Sequence, residues 1–287
     1  MYTLTVENQI GNVLTLTQKE NTYQIQQIEG LSPPEATINF TSIVGMDGAA
    51  FNSARIEPRE IVLYIKINGN AEKNRINLYS FFSPKSPVKL YYKNGERNVF
   101  IEGYVSSFVC DLFSGDGEIA QISILCPSPY WKDAQEIVDD ISNVLGLFTF
   151  PFFINEGEPI PFSEYTENRE SVVYNFSLVD TGLLIRATFA GNVNSLEIRN
   201  TTTGEDFTVV YPFISGDILS INTNIGSKSV TLIRSGDEVN IFPYITQGSV
   251  FFQLHAGANT FEFEADSGAS DDNVTIQLTR RTEYAGV

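Results

Sequence analysis

His255 is the only histidine in the chain, so every chemistry that needs an imidazole rests on it. It follows the apolar run VFFQL (250–254) and precedes a Gly-containing turn, and so reads as the end of a strand. Cys110 and Cys126 are the only cysteines; each closes an apolar run, FVC and ISILC. In a hairpin around Ser114–Glu118 the two thiols fall out of register, which reads as two buried free thiols in a chain made in a reducing compartment. Close carboxylate pairs are Glu57 with Glu60, Asp139 with Asp140, and Asp271 with Asp272. Two carboxylates facing one cleft suit a glycosidase, but a chain this acidic makes such pairs by chance. Asp266, Asp271 and Asp272 in one turn offer oxygen ligands for calcium, without the spacing of an EF-hand loop, and read as a solvated acidic turn. Trp131 and the many aromatics could line a sugar site; in alternating positions they read as core. There is no G-x-S-x-G, phosphate-binding loop, G-x-G-x-x-G or H-E-x-x-H motif. The expectation is a chain that is not an enzyme and holds no cofactor or metal.

Charge narrows the partners. The 287 residues carry a formal net charge of −17, unevenly divided. Residues 1–133 hold 11 Lys and Arg against 14 Asp and Glu, and residues 134–287 hold 7 against 21. The acidic half argues against nucleic acid, whose phosphates need a basic surface, and against an anionic membrane. No apolar run approaches the roughly 18 residues that span a bilayer, and MYTLTVENQIG has neither the basic nor the apolar region of a secretory signal.

The elements that would position these residues are mostly strands. Residues 2–6 and 13–17 alternate and read as an opening hairpin, with a third strand at 21–27. Pro33-Pro34 forbids helix and central strand alike. Val44–Ala54 reads as a long mobile loop with Phe51 near its end. IVLYIKI (61–67) is apolar at nearly every position and reads as a strand covered on both faces. Asn70 offers an N-cap, and Ile76, Tyr79 and Phe82 recur at helical spacing, so 71–82 is expected to be a helix stopped by Pro84 and Pro87. VKLYY (88–92) and NVFIEGYV (98–105) flank Asn94-Gly95, a strong hairpin signal. Asp133 with Glu136 has the spacing of a capping box, followed by Ala134, Ile137, Val138, Ile141 and Val144, which predicts a linking helix over 134–145. Residues 148–170 read as an extended apolar crossover. From Ser171 onward, short alternating strands recur about every ten residues, the pattern of a β-sandwich or jelly roll. The resulting expectation is a mostly β chain of two β-sandwich domains. Residues 1–133 form the first, with its added helix 71–82; 134–170 form the linking helix and crossover; 171–287 form the second.

Several blocks, in order, resemble the distal tail proteins of long-tailed phages infecting Gram-positive bacteria. They are IEGLSPPEATIN, DGAAFNSARIEPREIVLYIKING, NRINLYSFFSPKSPVKLYYKNGERNVFIEGYV, CDLF with AQISILCPSPYWKD, GDILSINTNIGSKSVTLIR, LHAGANTFEFEA and the closing Tyr-Ala-Gly-Val. The resemblance implies a structural protein of the virion tail tip without catalytic residues, made in the bacterial host cytoplasm. It implies a hexameric hub at the distal end of the tail tube, formed by the N-terminal sandwich. It further implies a galectin- or carbohydrate-module-like C-terminal jelly roll that carries tail-tip, baseplate or receptor-binding components. Implied partners are further copies of the chain, the tail-tube protein and those tip proteins; the alternative is a carbohydrate-binding protein that grips cell-wall glycans through its C-terminal sandwich. A closed ring needs a heterologous interface, one face of each subunit meeting a different face of the next. Loop 44–54 has the reach for that, with Phe51 as anchor. Arg55, Arg59, Arg75 and Arg97 concentrate positive charge in an acidic chain. Phe51, Arg55, Arg75, Lys93 and Arg97 are the interface candidates.

Overall fold

The structure, a computed structural model, describes residues 2–19, 21–45, 47–111, 118–141, 144–146, 163–165, 170–266 and 274–287. The chain divides into two units, Met1–Ala134 with Glu283–Val287, and Gln135–Thr282. The second is thus inserted in the sequence of the first.

In the first unit, alternation decides which side chains point inward. β1 (Thr3–Asn8) and β2 (Val13–Leu16) form the expected hairpin, Leu4 opposite Leu16. Leu4, Val6 and Leu16 are buried. β3 (Tyr23–Glu29) follows, then a hairpin of β4 (Ala36–Thr41) and β5 (Ala50–Ile56), and then β6 (Arg59–Ile67). The strand β6 is fully covered on one face, where Ile61, Leu63, Ile65 and Ile67 are buried, and only partly on the other, where Val62 is buried, Tyr64 and Lys66 are half-exposed and Glu60 is exposed. Helix α1 (Ala71–Phe81) starts as expected, with Asn70 Oδ1 accepting from the Lys73 amide at 3.2 Å. Its inward face is only partly the predicted one, since Phe82 is buried as expected. Leu78 and Phe82, four apart, are buried, and Ile76 and Tyr79 are exposed. β7 (Pro87–Lys93) and β8 (Asn98–Cys110) meet at Asn94-Gly95, where Asn94 Oδ1 accepts from the amides of Glu96 (2.8 Å) and Arg97 (2.6 Å). β9 (Glu118–Cys126) and β10 (Trp131–Asp133) complete this stretch.

Apart from β4 and β5, which pair only with each other among the described strands, these strands form one sheet in the order β2-β1-β7-β8-β9-β6-β3, with β10 on β8. A parallel bridge between Thr17 and Gln24 joins its two outer strands. The two layers of this unit are therefore opposing walls of one curled sheet around a common apolar interior. Cys110 lies opposite Ala120, six positions from Cys126, and both thiols are free. Burial pushes the Cys126 thiol up to about 12, so it is an inert core group.

The second unit starts with a correction. Residues 137–141 are not helical; they form β11 (Ile137–Ile141), paired residue by residue with β22 (Val274–Arg280). Ile137 and Ile141 share a face in a helix and in a strand alike, so their spacing does not discriminate, and pairing with a partner strand decides. β12 (Val144–Gly146) and β13 (Ser163–Tyr165) pair with each other; the rest of the predicted crossover lies outside the described residues. Then come β14 (Ser171–Asn175), β15 (Leu184–Phe189), β16 (Val193–Asn200), β17 (Glu205–Phe213), β18 (Ile218–Asn222), β19 (Ser229–Arg234), β20 (Asp237–Asn240) and β21 (Gly257–Asp266). Two antiparallel sheets result, β11-β22-β15-β18-β19-β20 and β14-β21-β16-β17. They share one core, rich in Phe189, Phe207, Phe213, Phe252, Phe261 and Phe263. The run VFFQL is not a strand: it buries Phe252 and Leu254 and makes one β-bridge, Leu254 to Thr181, while the Val250 amide donates to the Asp206 carbonyl (2.9 Å) and Gln253 Nε2 to the Thr223 carbonyl (2.7 Å). After β22 the chain returns to the first unit as β23 (Glu283–Tyr284), paired with β10.

Candidate assembly surface

Among the described residues, the sequence's candidate catalytic groups are not brought together in one site. His255 is exposed, its Nδ1 3.0 Å from an equally exposed Asp180 carboxylate. Asp139 and Asp140 are neighbours on β11 and so point to opposite faces. Asp139 is held by Arg280. Glu57 accepts from the Thr37 hydroxyl (3.0 Å) and from Arg55 Nε (2.9 Å), while Glu60 lies exposed on β6. The pair Asp271–Asp272 lies outside the described residues. Trp131 is fully buried and cannot serve as a sugar platform. Among the described residues no three His, Cys, Asp or Glu side chains are grouped to hold a metal ion.

The feature that stands out is the hairpin β4–β5. Every residue of both strands is exposed, and the hairpin pairs with no other strand among the described residues. The expected loop at 44–54 is only partly a loop: residues 50–56 are a strand, and the turn lies between Thr41 and Ala50. The hairpin has two unlike faces. Cross-strand partners share a face, so Ala36 with Ile56, Ile38 with Ala54, and Phe40 with Phe51 build an apolar side. A register shift beside Asn39–Phe40 accommodates the extra residue Asn52 and returns Phe51 to that side. On the other side Asn39 Nδ2 donates to Ser53 Oγ (3.0 Å), and Asn52 Nδ2 to Thr41 Oγ1 (2.6 Å). Phe40 and Phe51 keep 62% and 66% of their surface exposed, with Ile43 and Val44 also exposed at the tip.

An isolated two-stranded hairpin is at best marginally stable in water. Its free edges offer unpaired backbone groups, and an open apolar face marks an interaction surface.

The five interface candidates end in different places. Phe51 lies on the apolar face, and Arg55 on the polar face, where it pairs with Glu57. Arg75 reaches from α1 to Glu118 at 2.5 Å, both largely buried, and serves to tie the helix to β9. Lys93 is exposed at the end of β7. The Arg97 guanidinium lies 3.8 Å from the centre of the Tyr284 ring. Sequence reasoning missed Ile38 and Phe40. The alternation ATINF was available as a signal, but alternation alone does not say which apolar faces stay open.

Comparison with known proteins agrees with this division. A model described as "Phage tail protein RIFT-related domain" matches residues 11–124, and one described as "Siphovirus-type tail component, C-terminal domain" matches residues 177–281. No curated protein matches the sequence. Among solved structures, the distal tail protein (Dit) of phage SPP1, described as a hub adsorption apparatus in phages infecting Gram-positive hosts, superimposes with a TM-score of 0.70 at 15% identity. That likeness covers 98% of this chain and 99% of that one. Chains of the phage p2 baseplate in its activated conformation, with calcium or strontium, superimpose with TM-scores of 0.58 and 0.60 at 12% and 13% identity, each covering 98% of both chains. With a phage-tail domain matched in each unit and the fold shared from end to end, the chain resembles the distal tail proteins of siphovirus tail tips and baseplates.

Proposed function

We propose that the chain is a structural hub of a phage tail tip, in which six copies close into a ring at the distal end of the tail tube. The observation that carries the ring is the unaccompanied hairpin β4–β5 with its exposed Phe40 and Phe51. Insertion of that apolar face against a neighbouring copy covers it, and a contact between two unlike faces is the heterologous geometry that closes a ring. Arg55 and Lys93, both exposed, supply cations at the rim for acidic groups of the neighbour.

The second unit is read as a galectin- or carbohydrate-module-like jelly roll that carries tip or receptor-binding proteins. Its support is the pair of antiparallel sheets around one Phe-rich core, together with most of the chain's acidic excess. A second reading, a glycan grip in this unit, is favoured by one observation: the Tyr174 and Phe176 rings lie 4.9 Å apart and both are exposed. Among the described residues no helix is long and apolar enough to cross a membrane.

Negative-stain imaging and sedimentation with the tail-tube partner present test the ring. Rings that are lost on Phe40→Asp with Phe51→Asp support it, and a monomer under every such condition refutes it. Binding of cell-wall glycan that is abolished by Phe176→Ala would establish the second reading.

A further inference from the structure

Arg59 is the most deeply buried Lys or Arg among the described residues. It is 3% exposed, and burial lowers its affinity for a proton. Its guanidinium donates to four main-chain carbonyls: Nε to Pro129 (2.7 Å), Nη1 to Gly30 and to Ser32 (2.8 Å), and Nη2 to Ala285. A buried cation is tolerated only when its hydrogen bonds are made. Three of these acceptors come from loops of residues 1–134. The fourth comes from residues 283–287, which follow the whole second unit in sequence.

Those five residues lie in the first unit as a bound peptide would. Tyr284 pairs in strand register with Trp131, its hydroxyl donates to Asp133 at 3.1 Å, and Arg97 stacks on its ring. The Val287 amide donates to the Leu31 carbonyl at 3.2 Å. The fit is close at two glycines. A β-carbon on Gly286 would stand 3.0 Å from Pro33, tighter than ordinary contact. A β-carbon on Gly30, whose φ is +84°, would overlap the Glu60 carbonyl.

We propose that the first unit contains a peptide-accepting cleft, lined by Arg59, Arg97, Trp131, Asp133 and the 30–33 loop, for an extended Tyr-x-Gly segment. Residues 283–287 fill it in cis as a latch. Strand pairing supplies affinity, the Tyr ring and the glycine supply selectivity, and the Arg59 donor reports occupancy. Until the latch seats, Arg59 lacks one acceptor and the loops at 30–32 and 129 lose their common anchor. Stability of the first unit is thereby conditional on a segment that follows the second unit.

The test uses the chain lacking residues 283–287, with the heptapeptide RTEYAGV added in trans and hydrogen exchange as readout. Removal should accelerate amide exchange at Gly30–Ser32 and at Trp131–Asp133 at least about tenfold, leaving β15 and β18 unchanged. The peptide should restore protection saturably; the same peptide with Gly286→Val should not, and Arg59→Met should abolish rescue. Should the shortened chain not fold, Gly286→Val in the full chain should loosen the same two segments selectively. Unchanged exchange in those segments, or equal rescue by both peptides, overturns the proposal.

Discussion

Two hairpins of the first unit have the same local chemistry and opposite fates. β4–β5 and β7–β8 are both antiparallel, both alternate apolar with polar residues, and both present an apolar face. In β7–β8 that face carries Val88, Leu90, Tyr92, Val99, Ile101 and Val105, all buried in the core of the curled sheet. In β4–β5 it carries Ile38, Phe40, Phe51 and Ile56, all exposed. Alternation commits a strand pair to having a side that must be covered, without naming the cover. For β7–β8 the cover is the chain's own interior. For β4–β5 no cover is found among the described residues, and that exposure is the ground for proposing this hairpin as a point of assembly.

The contrast can be broken by mutation. Leu90→Ala removes a fully buried side chain from the covered hairpin and should cost about 2–5 kcal/mol of fold stability, read from chemical denaturation. Phe40→Asp with Phe51→Asp in the open hairpin should leave that stability within about 0.5 kcal/mol, as surface changes do. The same double change should weaken ring assembly by about 2 kcal/mol or more, read by sedimentation with the tube partner. If it destabilises the isolated chain as Leu90→Ala does, the hairpin is covered from within and the contrast fails.

Ion pairs sharpen the same distinction. In the second unit Asp217 is 1% exposed; it accepts from Arg234 Nε (2.8 Å) and Nη2 (2.5 Å) and from the Ile214 amide (2.9 Å). The Arg234 hydrogen bonds, opposed by burial and aided by that amide, hold its carboxyl below the ordinary value of 3.8. A depressed carboxyl contributes stability that is complete above the unfolded value and is lost as pH falls through the folded one. Asp217→Asn should therefore cost about 1–3 kcal/mol at neutral pH, and the gap to the parent chain should shrink as pH drops below about 4. Arg55–Glu57 in the open hairpin is exposed on both sides, so Arg55→Ala should change fold stability by at most about 1 kcal/mol and should act chiefly on assembly.

Short-range chemistry was legible wherever it was complete within a few residues. Asn70 caps α1, Asn94-Gly95 turns β7 into β8, and the alternation of Phe261 and Phe263 against Glu262 and Glu264 faces β21 correctly. The ordered blocks along the chain also carried the resemblance to phage distal tail proteins. Illegible were features whose determinant lies far away in sequence. Residues 137–141 suit a helix face by spacing, and pairing with β22, well over a hundred residues later, makes them a strand. The pairing of Arg75 with Glu118, 43 positions later, is another such feature.

The sequence by itself determined where strands turn, where the helix starts and which residues alternate. The tertiary structure alone decided which apolar faces are covered, because coverage depends on what the rest of the chain brings near. It left β4–β5 open and closed β7–β8. It buried Arg59 among four carbonyls, one of them contributed by residues that return from beyond the second unit. A charge looks solvent-bound in sequence, and only three-dimensional convergence of its acceptors makes it part of a core.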